Sequence, residues 1–494
     1  MKRISINPIT RLEGHGRIEI FLDEAGKVAN AYLQVPELRG FERFCVGRAA
    51  EDMPAITSRI CGVCPEAHHM AAVKALDQLF ATPPPPAARK IRELLYMAFF
   101  VTDHTLHFYA LGGPDFILGP DAPPSERNLL GVMRKVGEET SRKVIDTRAR
   151  NHGVIQTLGG RGIHPAAGLP GGWSKSISEE ERAGIEEVAR QNVEFARFSL
   201  RVFDTIVLAN PRYLEMIRSE TYRHSTYSMG TVDEAGCMNF YDGRIRVVDP
   251  DGREFARFEP RDYTAHVAER VESWTYMKFP YLKRVGWKGF VDGTDSGVYS
   301  ATPLARLNVA DRLSTPLAQA EFERLYETLG SRKVDGRYQP VHLRLANHWA
   351  RLIELLYAAE RMLELATDPE ITSPDVRRIP ERVAGEGVGS VEAPRGTLLH
   401  HYTADERGIL TSVNLIVGTT NNHAAISMSI RKAAHDLIEG GSAPDETLLN
   451  RVEMAFRLYD PCLSCATHSL GTAPLILNVR DARGEVVRAI RRDT

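Results

Sequence analysis

RICGVCPEAHH, Arg59 to His69, and DPCLSCATH, Asp460 to His468, carry the same device near opposite ends of the chain. Each holds a Cys-x-x-Cys pair, Cys61 with Cys64 and Cys462 with Cys465. One pair puts two thiolates within reach of one ion, so two pairs make a four-thiolate site. For both to serve one centre, the chain must bury that centre between its N- and C-terminal motifs. A structural zinc staple usually supports a small module without its own core, which a chain of 494 residues does not need. Thioredoxin-like exchange needs one pair beside a strand-helix unit, not two distant pairs. The donors suit zinc, an iron–sulfur cluster or nickel equally well. His68, four residues after Cys64, and His468, three after Cys465, stand in matched places, and Asp460 precedes the second pair.

Working outward, the remaining cysteines, Cys45 and Cys237, match neither pair and read as ordinary buried thiols. Six cysteines at this length make no disulfide framework. Apolar residues are 43% and charged residues 26%, ordinary for a globular protein. A formal net charge of −2 gives no bulk attraction to nucleic acid or anionic lipid. No uncharged apolar run reaches the roughly 18 residues of a membrane span. The opening MKRISINPITRLEGHG lacks the apolar core of a signal peptide, which weighs against self-directed export and leaves co-transport with a partner open.

Hydrophobic periodicity is mostly helical. After Pro83–Pro86, residues Ile91, Leu94, Leu95, Ala98 and Phe99 share one face. Ser178 with Glu181 forms a capping box ahead of Ile185, Val188, Phe195 and Val202. Leu345, Trp349, Leu352, Leu356, Ala359 and Leu363 mark a third long helix, and residues 423–438 a fourth. Hairpins are expected at 17–36, 243–258 and 474–490, turning at Asp23–Gly26, Asp249–Gly252 and Asp481–Gly484. The expected fold is mainly α: a long-helix bundle with small β appendages. No repeat or linker divides it, so one large domain is expected. The glycine-rich GGRGIHPAAGLPGG (159–172) lacks the lysine of a nucleotide loop and reads as a structural loop.

Taken together, the motifs resemble those of the large subunit of [NiFe] hydrogenases over essentially the whole chain. RLEGHGRIEI (11–20), RGFERF (39–44), RICGVCPEAHH, HFYALGGPDF (107–116), GGRGIHP (159–165), EAPRG (392–396), VNLIVGTTNN (413–422) and DPCLSCATH follow in that family's order. The resemblance implies reversible heterolytic cleavage of dihydrogen. It implies nickel bound by all four cysteines, Cys61 and Cys462 terminal, Cys64 and Cys465 bridging to an iron with carbon monoxide and two cyanides. Glu13 would be the first proton acceptor. Arg395 would stand over the open coordination site, fixed by Asp115 and Asp460. His68 would lie beside a bridging sulfur. Pro394, Gly418 and Thr419 would line the diatomic ligands. Glu42, the Leu415 carbonyl and His468 would hold magnesium, or iron, near the C-terminus. The chain departs from the family's common pattern at Gly418, often proline, and at Asn421, often tryptophan. An arginine is not easily buried unpaired, so flanking carboxylates are expected on physical grounds too.

The implied partners are an iron–sulfur small subunit, with further electron-transfer subunits of flavin/NAD, deazaflavin or heterodisulfide-reductase type, because this chain holds no relay of its own. FILGPDAPPSERN (116–128) and the ending ATH look most like the cytoplasmic multi-subunit branch. A non-catalytic relative such as the quinone-site subunit of respiratory complex I shares the fold but lacks the four cysteines. A hydrogen-sensing subunit is the other alternative, and sensors commonly lack a C-terminal extension. Residues 1–468 are expected to form the hydrogenase domain. Residues 469–494 resemble the extension that a maturation endopeptidase removes between His468 and Ser469.

Overall fold

The computed structural model describes residues 2–438, 445–468, 475–480 and 486–492. The principal helices are α1 (Pro65–Leu79), α2 (Pro86–Leu106), α3 (Glu138–Gly159), α4 (Glu179–Phe203), α5 (Pro303–Val309), α6 (Asn347–Thr367), α7 (His423–Leu437) and α8 (Glu446–Arg457). The bundle is built on α6, which packs against α4 and α2, while α2 packs against α3. Composition explains α6: from Asn347 to Glu360 every residue is buried, so it is enclosed by neighbours on all sides. The capping box of α4 is formed as expected, the Ser178 hydroxyl accepting from Glu181 N–H and Glu181 accepting from Ser178 N–H. Beyond α2 the chain passes through a wider π-helical turn, His107–Leu111.

The small sheets sit around this bundle. Strands β1 (Lys2–Ile6), β2 (Arg17–Leu22) and β3 (Val28–Gln34) form one antiparallel sheet. The β2–β3 turn closes at Gly26, at φ +77°, as the Asp23–Gly26 signal required. Strands β4 (Tyr227–Val232), β5 (Arg244–Val248), β6 (Glu254–Phe258) and β7 (Tyr299–Ser300) make a second sheet in the order β7-β4-β5-β6, containing the expected 243–258 hairpin. A third sheet, β8 (Glu386–Ala393), β9 (Gly396–Ala404) and β10 (Leu410–Ile416), was not expected from the sequence. Strands β11 (Leu475–Arg480) and β12 (Val486–Arg492) pair antiparallel; the expected turn at Asp481–Gly484 lies outside the described residues.

The third sheet positions the site. Strand β8 lies directly on the backbone of α1. A Cβ on Gly389 would stand 1.9 Å from the Ala71 carbonyl oxygen, and one on Gly387 would stand 2.1 Å from that of Ala75. Only glycine permits that approach. The two-residue connection Pro394–Arg395 is thereby held beside the helix that follows Cys64. The principal core draws on side chains from Ile6 to Ala466, so both ends of the chain share it.

Candidate metal centre

Cys64 is the residue before the first turn of α1, where Pro65 needs no hydrogen bond. The N–H groups of Val63 and Cys64 donate to Cys61 Sγ at 3.2 and 3.3 Å. After α8 the chain turns at Asp460, with φ +52°, a conformation that aspartate tolerates better than most residues. It then pairs Cys462 with Glu13 across a single parallel bridge. The four sulfurs of Cys61, Cys64, Cys462 and Cys465 lie within 4.8 Å of one another, all buried. Cys61 and Cys462 are 3.4 Å apart, Cys64 and Cys465 3.4 Å, Cys462 and Cys465 2.9 Å, with no disulfide between them. A tetrahedral metal with bonds of ~2.3 Å separates its sulfurs by roughly 3.8 Å, so this donor set is nearly at coordination distance. Burial pushes the Cys462 and Cys465 thiols well above their usual range. Hydrogen bonding, first from Cys462, holds Cys61 well below it. A cation entering this pocket must therefore displace protons.

Glu13 reaches the cluster directly. The Cys462 thiol donates to Glu13 Oε2 at 2.9 Å, and Ser464 N–H donates to the same oxygen at 3.2 Å. A carboxylate on a thiol, steadied by a backbone donor, can accept that proton and pass it on.

Arg395 is buried, as expected, but its partners correct the sequence reading. Its guanidinium makes ion pairs of 3.0 Å each with Asp103 and Asp460. Asp115 is elsewhere: it accepts from Arg457 twice at 2.9 Å and is bonded to Arg11. The physical reason is competition. Asp115 already neutralises the buried Arg457 and Arg11, whose side chain is 11% exposed, and the turn of α2 that carries Asp103 faces the β8–β9 connection instead. Burial raises the Asp103 carboxyl to about 6, while Asp460, despite its burial, is held low by Arg395. The sequence signal of Asp103 is an acid within the apolar run of α2.

His68 is buried on α1 and meets His400, Nδ1 to Nε2, at 3.1 Å; His400 Nδ1 in turn meets the Tyr402 hydroxyl at 2.5 Å. The other ring nitrogen of His68, Nε2, is buried without a protein partner. His400 and Tyr402 belong to the unexpected third sheet. Thr419 hydroxyl accepts from Cys462 N–H at 3.0 Å. A Cβ on Gly418 would stand 3.0 Å from Gly396 N, so Gly418 packs against the Arg395 turn, whose Pro394 carbonyl accepts from Arg306.

Glu42 and His468 meet through the backbone, Glu42 N–H donating to the His468 carbonyl at 3.3 Å, and Glu42 Oε1 accepts from Leu415 N–H at 2.9 Å. Lys278 Nζ lies 3.9 Å from Glu42 Oε2, and His468 Nδ1 is buried without a partner. The carboxylate is a donor for magnesium and the unpartnered imidazole nitrogen one for iron. Cys45 and Cys237 stay outside the cluster: burial raises Cys45 to about 11, and Cys237 accepts from Arg312 Nε at 3.3 Å.

A family model described as nickel-dependent hydrogenase matches residues 39–122 and 143–468, and one described as HoxL-like matches residues 3–38. An iron-sulfur subunit of the F420-non-reducing hydrogenase of Archaeoglobus profundus is 50% identical over 492 residues, 99% of this chain and 100% of that protein. NAD-reducing hydrogenase HoxS subunit beta of Cupriavidus necator is 37% identical, covering 98% of this chain and 99% of that one. Among solved structures, an NAD+-reducing [NiFe]-hydrogenase in the H2-reduced state matches with TM-score 0.86 and 36% identity, over 95% of this chain and 100% of that chain. The Ni-Fe-Se hydrogenase of D. vulgaris Hildenborough, at 24% identity and TM-score 0.74, shares the fold.

Proposed function

Because the chain belongs to the nickel-dependent hydrogenase family, as the catalytic large subunit of a [NiFe] hydrogenase, we propose that its four thiolates bind nickel and share it with an iron. In this reading Cys61, Cys64, Cys462 and Cys465 would hold the nickel, and Cys64 and Cys465 would also hold an iron bearing carbon monoxide and two cyanides. When bound, that centre supplies the redox change and polarises dihydrogen for heterolytic cleavage. The convergence of four buried sulfurs from two motifs, with a carboxylate on one of them, carries the reading.

The chain's own residues then have separable tasks. Glu13 takes the proton offered at Cys462 Sγ and hands it outward. Arg395 holds a fixed positive charge beside the cluster, with Asp103 and Asp460 as its counterions. His68, whose buried Nε2 has no protein partner, would stand beside a bridging sulfur. Pro394, Gly418 and Thr419 would line the diatomic ligands. Glu42, the Leu415 carbonyl and His468 would hold magnesium. The burial of the cluster excludes water from it.

Among the described residues, the four-cysteine cluster is the one candidate metal site with three or more His, Cys, Asp or Glu donors. That supports a relay of iron–sulfur clusters in a partner small subunit, with further electron-transfer subunits beyond it. The Cupriavidus relative is NAD-reducing and the Archaeoglobus relative F420-non-reducing by name, which supports the cytoplasmic multi-subunit branch. No helix among the described residues is long and apolar enough to cross a membrane. The hydrogen-sensing alternative is not favoured, since both relatives are by name subunits of hydrogenases defined by their electron acceptor. Removal of residues 469–494 by a maturation endopeptidase is supported by the family match ending at residue 468.

Metal analysis with infrared spectroscopy on the purified complex tests this reading. One nickel per chain with carbon monoxide and cyanide stretching bands is expected; zinc in the four-thiolate site without those bands would overturn it.

A further inference from the structure

Arg306 on α5 is fully buried, as are Glu354 on α6 and Glu392 on β8. All the donors of Arg306 are engaged. Its Nε and Nη2 fork onto the two oxygens of Glu354 at 2.6 and 2.7 Å. Its Nη1 meets Glu392 Oε2 at 3.3 Å. What remains is aimed at backbone: Nη1 donates to the Ala393 carbonyl at 2.8 Å and Nη2 to the Pro394 carbonyl at 3.2 Å. The next carbonyl, that of Arg395, accepts from Asn422 Nδ2 at 2.6 Å, and Asn422 Oδ1 accepts from Ala301 N–H at 2.7 Å. Three consecutive carbonyls, that of the last residue of β8 and the two of the connection to β9, are thus each held by a buried side chain. Thr231 and Thr397 hydroxyls fix Glu392 at 2.7 and 2.9 Å, and His104 fixes Glu354 at 2.9 Å.

A planar guanidinium locked by a bidentate carboxylate is a rigid support, unlike a lysine ammonium on a flexible stem. The backbone it grips leads straight into Arg395. We propose that Arg306, with Asn422, is a positioning residue for the hydrogen reaction: it fixes the Ala393–Arg395 turn and through it the place of the Arg395 guanidinium. The proposal rests on the reading that Arg395 acts in the reaction.

The test is a double-mutant cycle on the nickel-loaded complex. Arg395→Lys alone tests the underlying reading, and a loss of turnover is expected. Arg306→Lys keeps the charge but loses the fork. It should lower turnover about tenfold or more, since small misplacements cost that much, with nickel content unchanged. In an Arg395→Lys background the same change should cost less than about threefold, because residues acting as a unit are not additive. Hydrogen–deuterium exchange of a peptide spanning 393–397 should be faster in Arg306→Lys, independently of activity. If Arg395→Lys lowers turnover while Arg306→Lys does not, or Arg306→Lys costs the same in both backgrounds, or exchange at 393–397 is unchanged, the positioning role is overturned. If Arg306→Lys yields no nickel-loaded protein, Asn422→Ala, which spares the buried charges, runs the same cycle against the same outcomes.

Discussion

Glu13 Oε2 and Cys462 Sγ are 2.9 Å apart, although 449 positions separate them in the chain. The contact is reinforced by the parallel Glu13–Cys462 bridge, in which Leu463 N–H donates to the Glu13 carbonyl at 2.9 Å. The carboxylate is therefore delivered by backbone pairing, not by a flexible side chain reaching across a gap. Glu13→Gln keeps the shape and removes the base. It should lower hydrogen–deuterium exchange and turnover by about a hundredfold or more, within the range of general-base effects, while nickel remains bound. Exchange at the wild-type rate in a nickel-loaded Glu13→Gln complex would remove Glu13 from the proton path.

Two aspartates, Asp103 and Asp115, should separate cleanly by experiment. Asp103→Asn removes a counterion of Arg395 and is expected to cut turnover about tenfold or more with the fold intact. Asp115→Asn instead strips Arg11 and Arg457 of their shared carboxylate. Losing one partner of such a buried group costs about 3–5 kcal/mol, so this variant should melt earlier. Its folded, nickel-loaded fraction should still turn over within about threefold of wild type. Comparing specific activity per nickel with melting temperature distinguishes the two, and the opposite pattern would return the Arg395 partnership to Asp115.

Buried histidines make the fold sensitive to acid. In His69, Nδ1 lies 3.2 Å from the Pro54 carbonyl and Nε2 accepts from Gly168 N–H at 3.1 Å, so the ring is held neutral in one tautomer. Burial lowers its pKa to about 4, against an ordinary 6.5. A folded pKa below the unfolded value means that the unfolded chain binds the extra proton. Stability from this group is complete above about pH 6.5 and falls as pH drops toward 4, by ~3 kcal/mol in total. Denaturant midpoints of wild type and His69→Gln, compared from pH 7 to pH 4.5, should show the variant losing about one proton's worth of that slope. Parallel slopes for the two proteins would contradict the assignment.

Maturation gives a mass prediction. Active, nickel-loaded enzyme should end at His468, shorter by residues 469–494, the expected cut falling at a bond whose second residue lies outside the described residues. The N–H of Glu42 already meets the His468 carbonyl, which puts the new terminus beside the proposed magnesium ligands. Intact mass spectrometry of active enzyme decides; full activity with the extension retained would show that no cleavage is needed.

The sequence by itself determined the donor set and most of the scaffold. Cys-x-x-Cys is a local constraint, so residue identity and spacing sufficed to name all four sulfurs. The long helices α2, α4, α6 and α7 announced themselves because amphipathic or apolar periodicity is a property of consecutive residues. The third sheet did not. Strand β8 is buried at every position but its first, and a strand buried on both faces shows no alternation to read. The structure alone therefore supplied His400, Tyr402 and the clamp on the Arg395 turn. It also decided which aspartate serves Arg395. Asp103 and Asp115 lie on either side of the π-helical turn His107–Leu111, which breaks the regular helical register between them. Buried charges choose partners by where the chain passes in three dimensions, and nothing in one stretch of sequence records that.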